Sequence, residues 1–193
     1  MKLFQKAIAK IDLINTEDPN QEIQADENFP KELLYSQRMS DKLESFFPDA
    51  PDYLKIAARA QHIGRWRIPR SEYPMDRVGY LKWREELKKM HASLTADILN
   101  EVGYDEYFIG KVSHLIRKKQ LKTDEETQAL EDVICLVFLE FYFDDFASKH
   151  EDDKIIDILQ KTWSKMSEKG KNAALKLNLS PQSTKLIQEA LSN

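Results

Sequence analysis

The chain has 193 residues, 41% of them hydrophobic and 32% charged, with five glycines, a formal net charge of −4 and a pI near 5.7. That balance excludes wholesale wrapping of nucleic acid but not a local phosphate contact, and a single cysteine, Cys135, excludes an internal disulfide framework and is compatible with a reducing compartment. Scarce glycine and long stretches of apolar and charged residues at helical spacing argue for an all-α fold, and the length for one domain.

The first twenty residues lack the uninterrupted apolar core of a signal peptide. Phe4, Ile8, Ile11 and Leu13 predict a short first helix, ending near the polar stretch 15–28. Pro30 stands where a helix can start, and Leu33, Leu34, Met39, Leu43 and Phe46 continue at helical spacing. Pro48 and Pro51 break the chain before a third helix, predicted over 51–66 with Leu54, Ala57, Ala58 and Gln61 on related faces. Residues 67–74 carry two prolines and predict an ordered, irregular loop. A long helix is predicted over 76–101, with Leu87, Met90, Leu94 and Ile98 inward and Gly103 as its stop. Another follows over 105–119, with Phe108, Val112, Leu115 and Ile116 inward. Thr123 with Glu126 has capping-box spacing for the next. Its stretch 133–143 is apolar nearly all round, which marks it as the most buried element, yet Glu140 interrupts it and it is too short to span a bilayer. Weaker amphipathic helices close the chain, the last signalled by Ser180-Pro181. No strand candidate competes. A cytoplasmic protein with no membrane partner is expected.

Charge is unevenly placed. Residues 59–89 hold six of the eight arginines, nine Lys/Arg against four Asp/Glu, so this window carries +5 and the remainder −9. Arginine presents a flat, permanently charged fork that matches carboxylate and phosphate. Lys82, Lys88 and Lys89 fit a solvated helix face beside Glu85 and Glu86. Arg65, Arg67 and Arg70 fit that description poorly, because they alternate with Trp66, Ile68 and Pro69 in a proline-fixed loop. With Arg59 and Arg84 they form the candidate anion-binding set. Trp66 and Trp83 read as core residues first and as stacking platforms for a base second.

His62, His91 and Asp132 fall on inward-looking faces: His62 one turn after Ala58, His91 with Leu87, Leu94 and Ile98, Asp132 with Ala129, Cys135, Leu136 and Leu139. A carboxylate among apolar neighbours is costly unless it is paired or ligates a cation. Two imidazoles and a carboxylate from three helices make a divalent-metal site one reading. The other is two core histidines bonded to backbone and an Asp132 paired with an arginine of the basic window. His114 reads as structural or surface, His150 as solvated, and Cys135 as a small buried hydrophobe.

The segments AARAQHIGR, MHASLTADILNEVGYDEYFIGKVSHLI and LEDVICLVFLE, in this order, resemble the motif helices of the His-Asp (HD) superfamily of metal-dependent phosphohydrolases over about residues 30–145. The phrase AARAQHIGRWRIPRSEYP…GYLKWR also resembles an uncharacterised domain-of-unknown-function family. The HD resemblance implies one HD-like helical domain over 1–193, with helical additions at 1–29 and 146–193. It also implies a divalent metal (Mn, Fe, Zn or Ni) held by His62, His91 and Asp132. Glu131 and Gln61 would be further ligands or water-positioning groups, and the arginines a phosphate clamp. The pattern is rearranged: Gln61-His62 stands where the superfamily has His-Asp, and Tyr35, Ser36 and Gln37 stand where its first histidine is expected. Two functions follow as expectations. One is a metal-dependent hydrolase of a phosphorylated small molecule or nucleotide, in which the metal lowers the pKa of a bound water. The alternative is a non-catalytic HD-like module that binds an anionic ligand or an RNA backbone through the arginine-rich loop. A protein–protein scaffold built on the acidic C-terminal helices is a third reading.

Overall fold

The computed structural model describes residues 2–192, and among them the fold is mainly α-helical, with ten α-helices and one two-stranded hairpin. The backbone falls into two compact units. The first takes the chain up to Glu44 and Pro48–Lys119; the second takes Ser45–Phe47 and the chain from Gln120 onward.

In the first unit, α1 (Leu3–Thr16) leads to β1 (Gln21–Gln24) and β2 (Glu27–Pro30), which pair antiparallel. The sequence reading had no strands here. The turn between them places Ala25 and Asp26 at φ 50° and 65°, the left-handed pair that a two-residue hairpin requires. Arg38 then bonds Glu22 (2.5 Å) and Gln24 (3.0 Å), tying the hairpin to α2 (Lys31–Phe46). Asp18 accepts the Glu32 N–H at 3.0 Å, which satisfies one of the open amides of α2's first turn and sets that turn in place. Of the residues that marked α1 in the sequence, Ile11 is buried and Leu13 is exposed.

α3 (Asp52–Arg59) is shorter than predicted. The chain leaves the helix at Ala60 and turns through Gly64, at φ 64°, into a short 3-10 segment, Arg65–Arg67. A Cβ on Gly64 would stand 3.1 Å from Leu94 Cδ1, and its left-handed backbone suits glycine. The buried Asn15 accepts the Gly64 N–H at 3.2 Å. His62 therefore rides on a turn rather than on a helix. α4 (Arg77–Val102) starts on Asp76, whose carboxylate accepts the Gly79 N–H, and stops at left-handed Gly103. α5 (Glu106–Ile116) packs back on α3 and α4. Leu34, Met39, Leu54, Ile56, Ile63, Leu99 and Ile116 are among the buried side chains of this unit.

In the second unit, α6 (Glu125–Val137) is capped by Asp124, not by the predicted Thr123; Asp124 accepts the Thr127 N–H. It runs into a π-helical turn, Phe138–Tyr142, then α7 (Phe143–Ser148), α8 (Asp152–Lys165), α9 (Glu168–Ala174) and α10 (Pro181–Ser192). Leu136, Leu139, Phe143, Leu159 and Leu186 form its core, and Cys135 is buried there as expected. No helix among the described residues is long and apolar enough to cross a membrane.

Candidate functional site

The break after Arg59 builds the site. In a continuous helix the Ile63 carbonyl would accept a backbone N–H four residues on. Here Arg67 N donates to Gly64 O instead, and the His91 Nδ1–H donates to Ile63 O at 2.7 Å. That bond fixes the tautomer: His91 Nε2 carries the lone pair, is buried, and has no hydrogen-bond partner. Burial, then the neighbouring His62, lowers the His91 pKa to about 3, so the ring is neutral.

The His62 ring lies 6.0 Å from that of His91, centroid to centroid, and stacks on Tyr35 at 3.9 Å. Its Nδ1 stands 3.2 Å from Glu32 Oε2, and its Nε2 2.9 Å from an Arg65 guanidinium nitrogen. A guanidinium only donates, so Nε2 accepts and Nδ1–H points at the carboxylate. Desolvation, then the charges of Arg65, Lys118, Arg84 and Lys31, push the His62 pKa well below the ordinary histidine value. Burial raises that of Glu32 against the opposing pull of Arg65 and Lys31. Arg65 Nε is 3.8 Å from Glu32 Oε1, beyond hydrogen-bond reach, and the guanidinium lies over the Trp83 ring at 4.9 Å. The exposures grade inward: the side chains of Arg65 and His62 are 31% and 23% exposed, that of Glu32 is 9%, and His91 is 2% exposed.

The other predicted anion ligands have different surroundings. Arg59 makes a bidentate pair with Asp12, 2.7 Å at each nitrogen. Arg70 donates to the carbonyls of Tyr73, Pro74 and Asp76 and so braces the loop that enters α4. Arg67 pairs with Glu17 at 3.3 Å, both partly exposed, and Arg84 donates to the Tyr80 hydroxyl. Trp83 is buried and donates its indole N–H to Ile68 O, the structural role read first.

Of the predicted metal ligands, His62 and His91 are neighbours in the first unit, while Asp132 belongs to the second. Asp132 is buried as the pattern indicated, and its partners are not arginines. Oδ1 accepts from Ser167 N (2.8 Å) and Gln128 Nε2 (3.1 Å), and Oδ2 from Ser167 Oγ (2.5 Å). Ser167 Oγ in turn accepts the Gly170 N–H, so Asp132 holds the N-cap of α9. Both His62 nitrogens are engaged, and among the described residues no three His, Cys, Asp or Glu side chains gather as a metal cage. Gln61 is buried with its carbonyl oxygen unpartnered, and Glu131 is buried on α6. His150, expected in solvent, stacks on Phe146 at 4.2 Å and donates to the Phe146 carbonyl. Glu32 and Tyr35 are the contacts that sequence reasoning missed as a pair. Tyr35 lay in the segment noted for its departure from the HD pattern. Glu32 looked like an ordinary acidic residue in a helix's first turn.

A sequence profile described as a domain of unknown function, DUF4202, matches residues 5–187. The chain belongs to the DUF4202 family. That match takes in every element of the site in this DUF4202 chain, from α1's Asn15 to α4's His91, and runs on through the second unit. No curated protein and no solved structure matches it.

Proposed function

We propose that the first unit is an anion-binding module whose ligand, a phosphorylated small molecule or phosphate itself, is taken by Arg65 beside His62. The observation that carries this reading is a partly exposed guanidinium, that of Arg65, bonded at 2.9 Å to a neutral imidazole. Arg65, Lys118, Arg84 and Lys31 all act on His62, and the carboxylate that touches the ring is Glu32. Arg65 is the group best placed to change partner. Its hydrogen bond to His62 is a charged donor on a neutral acceptor, and an oxyanion offers it a stronger, bidentate bond. Arg59 and Arg70 support the reading by what they do instead, because each is committed to holding the fold. Isothermal titration of inorganic phosphate into the full chain tests it. Binding should weaken by about 10- to 100-fold in Arg65→Ala, as for loss of a charge-assisted contact, and persist in Lys89→Ala, whose lysine pairs with Glu86 on the exposed face of α4. Equal affinities in wild type and Arg65→Ala contradict it.

A metal-dependent hydrolase is the second reading, favoured by one observation: the open His91 Nε2 lies on a ring next to His62 and its Glu32. It requires Arg65 to leave His62 Nε2 and a further ligand beyond those described above. Elemental analysis of the purified chain beside His91→Ala tests it; stoichiometric manganese, iron, zinc or nickel lost in the variant supports it, and no metal after reloading contradicts it.

A further inference from the structure

We propose that this site selects an oxyanion that still carries a proton, hydrogen phosphate or a singly protonated phosphate monoester, and rejects sulfate and phosphodiesters. The inference rests on the anion-binding reading above and concerns the deeper side of the same cluster. Cations alone would not discriminate, since hydrogen phosphate and sulfate carry the same double charge at neutral pH. The discriminating groups are acceptors. His91 is 2% exposed, its Nδ1–H is spent on the Ile63 carbonyl, and its Nε2 lone pair has no donor. In an imidazole the two nitrogens face away from one another, so Nε2 opens away from Ile63. Glu32, 9% exposed at its side chain, gives one oxygen to His62, and its second lies 3.8 Å from Arg65 Nε. The His91 ring neighbours that of His62, which holds both Arg65 and Glu32, so on this proposal the ligand's oxygens have a buried nitrogen lone pair and a carboxylate as their acceptors.

An oxygen without a proton is repelled by both and leaves His91 Nε2 unsatisfied. A P–O–H group donates to one of them and removes the penalty. Sites that hydrogen-bond a ligand donor reject the analogue lacking it far more strongly than apolar pockets discriminate shape, because the buried polar group is otherwise left unpaired.

The test is a pair of titrations on the full chain at neutral pH and fixed ionic strength, inorganic phosphate against sulfate, with phenyl phosphate also titrated at about pH 6, where a good share of the monoester keeps its proton and should bind more tightly than at neutral pH. Phosphate is expected to bind about 100-fold more tightly than sulfate. His91→Leu should cut that preference to about 10-fold or less. Glu32→Gln, which turns an acceptor into a group that also donates, should raise sulfate affinity and narrow the gap, and it serves where His91→Leu fails to fold. Equal affinities for phosphate and sulfate overturn the inference and leave the anion-binding reading standing. Absence of binding by either anion overturns both. A preference for phosphate unchanged in a folded variant overturns the assignment to these acceptors.

Discussion

Arg59 and Arg65 sit six positions apart in the same basic window and serve different ends. The fork of Arg59 closes on Asp12, with side-chain exposures of 12% and 27%, so the pair is largely withdrawn from water. Arg59→Ala should cost about 2 kcal/mol, since one partner is left behind half-buried, read as a lower urea midpoint. Arg65→Ala should cost less, about 1 kcal/mol, because its guanidinium is more exposed and stands beyond hydrogen-bond reach of Glu32, and should lose anion affinity as well. Equal stability losses would contradict the division. Sequence pattern placed His91 inward correctly, because Leu87, Leu94 and Ile98 define its stripe. It did not separate the two arginines, because that separation depends on Asp12, forty-seven residues away.

At the scale of elements, the decisive event is the end of α3 at Arg59, where a helix was expected to continue to Trp66. Periodicity could not reveal it: apolar spacing continues through the turn, and the signal was Gly64, whose left-handed backbone ends the run. That ending frees the Ile63 carbonyl for His91 and presents His62 to Glu32. The hairpin was missed for a related reason, since QEIQADENFP lacks the Asn-Gly or Asp-Gly signal and Ala25 takes a left-handed position usually given to glycine or asparagine. Glycines test the packing of these elements in opposite directions. A Cβ on Gly79 would stand 2.1 Å from the Pro74 carbonyl oxygen, so Gly79→Ala should destabilise by about 2 kcal/mol or more. Gly110, on exposed α5 surface, has nothing within 4 Å of a built Cβ, and Gly110→Ala should stabilise by about 1 kcal/mol. Thermal melts that move the same way for both would contradict the placement of α4's first turn. Gly170 carries a similar constraint in the second unit, where a Cβ would stand 2.5 Å from Asp132 Oδ1.

For the whole molecule, the −4 net charge hides a basic window, and two neutral imidazoles, His91 buried and His62 half-buried, tie stability to pH. His91 has a folded pKa of about 3 and His62 one well below normal, whereas both bind protons near pH 6.5 when unfolded. The unfolded chain therefore takes up more protons below about pH 6.5, and the fold should lose about 1.4 kcal/mol per pH unit for each histidine as pH falls toward the folded values. Glu32, raised by burial, works the other way: it protonates first in the folded chain and returns part of that loss between its raised pKa and the ordinary glutamate value. Urea denaturation at neutral pH and at about pH 5 should show the drop, and flat stability over that range would contradict imidazoles held neutral by the fold. The all-helical class was legible in composition. The division into two units was not, because the second unit draws in Ser45–Phe47 from a distant part of the chain, which local sequence pattern does not report. The most direct test of the anion site is nitrogen-15 NMR of the histidine side chains during a titration with inorganic phosphate. His62 Nε2, freed or shared as Arg65 turns to the anion, should shift most and saturably, with His91 next and His150 unmoved. Shifts confined to His114 or His150, or no saturable shift at all, would contradict it.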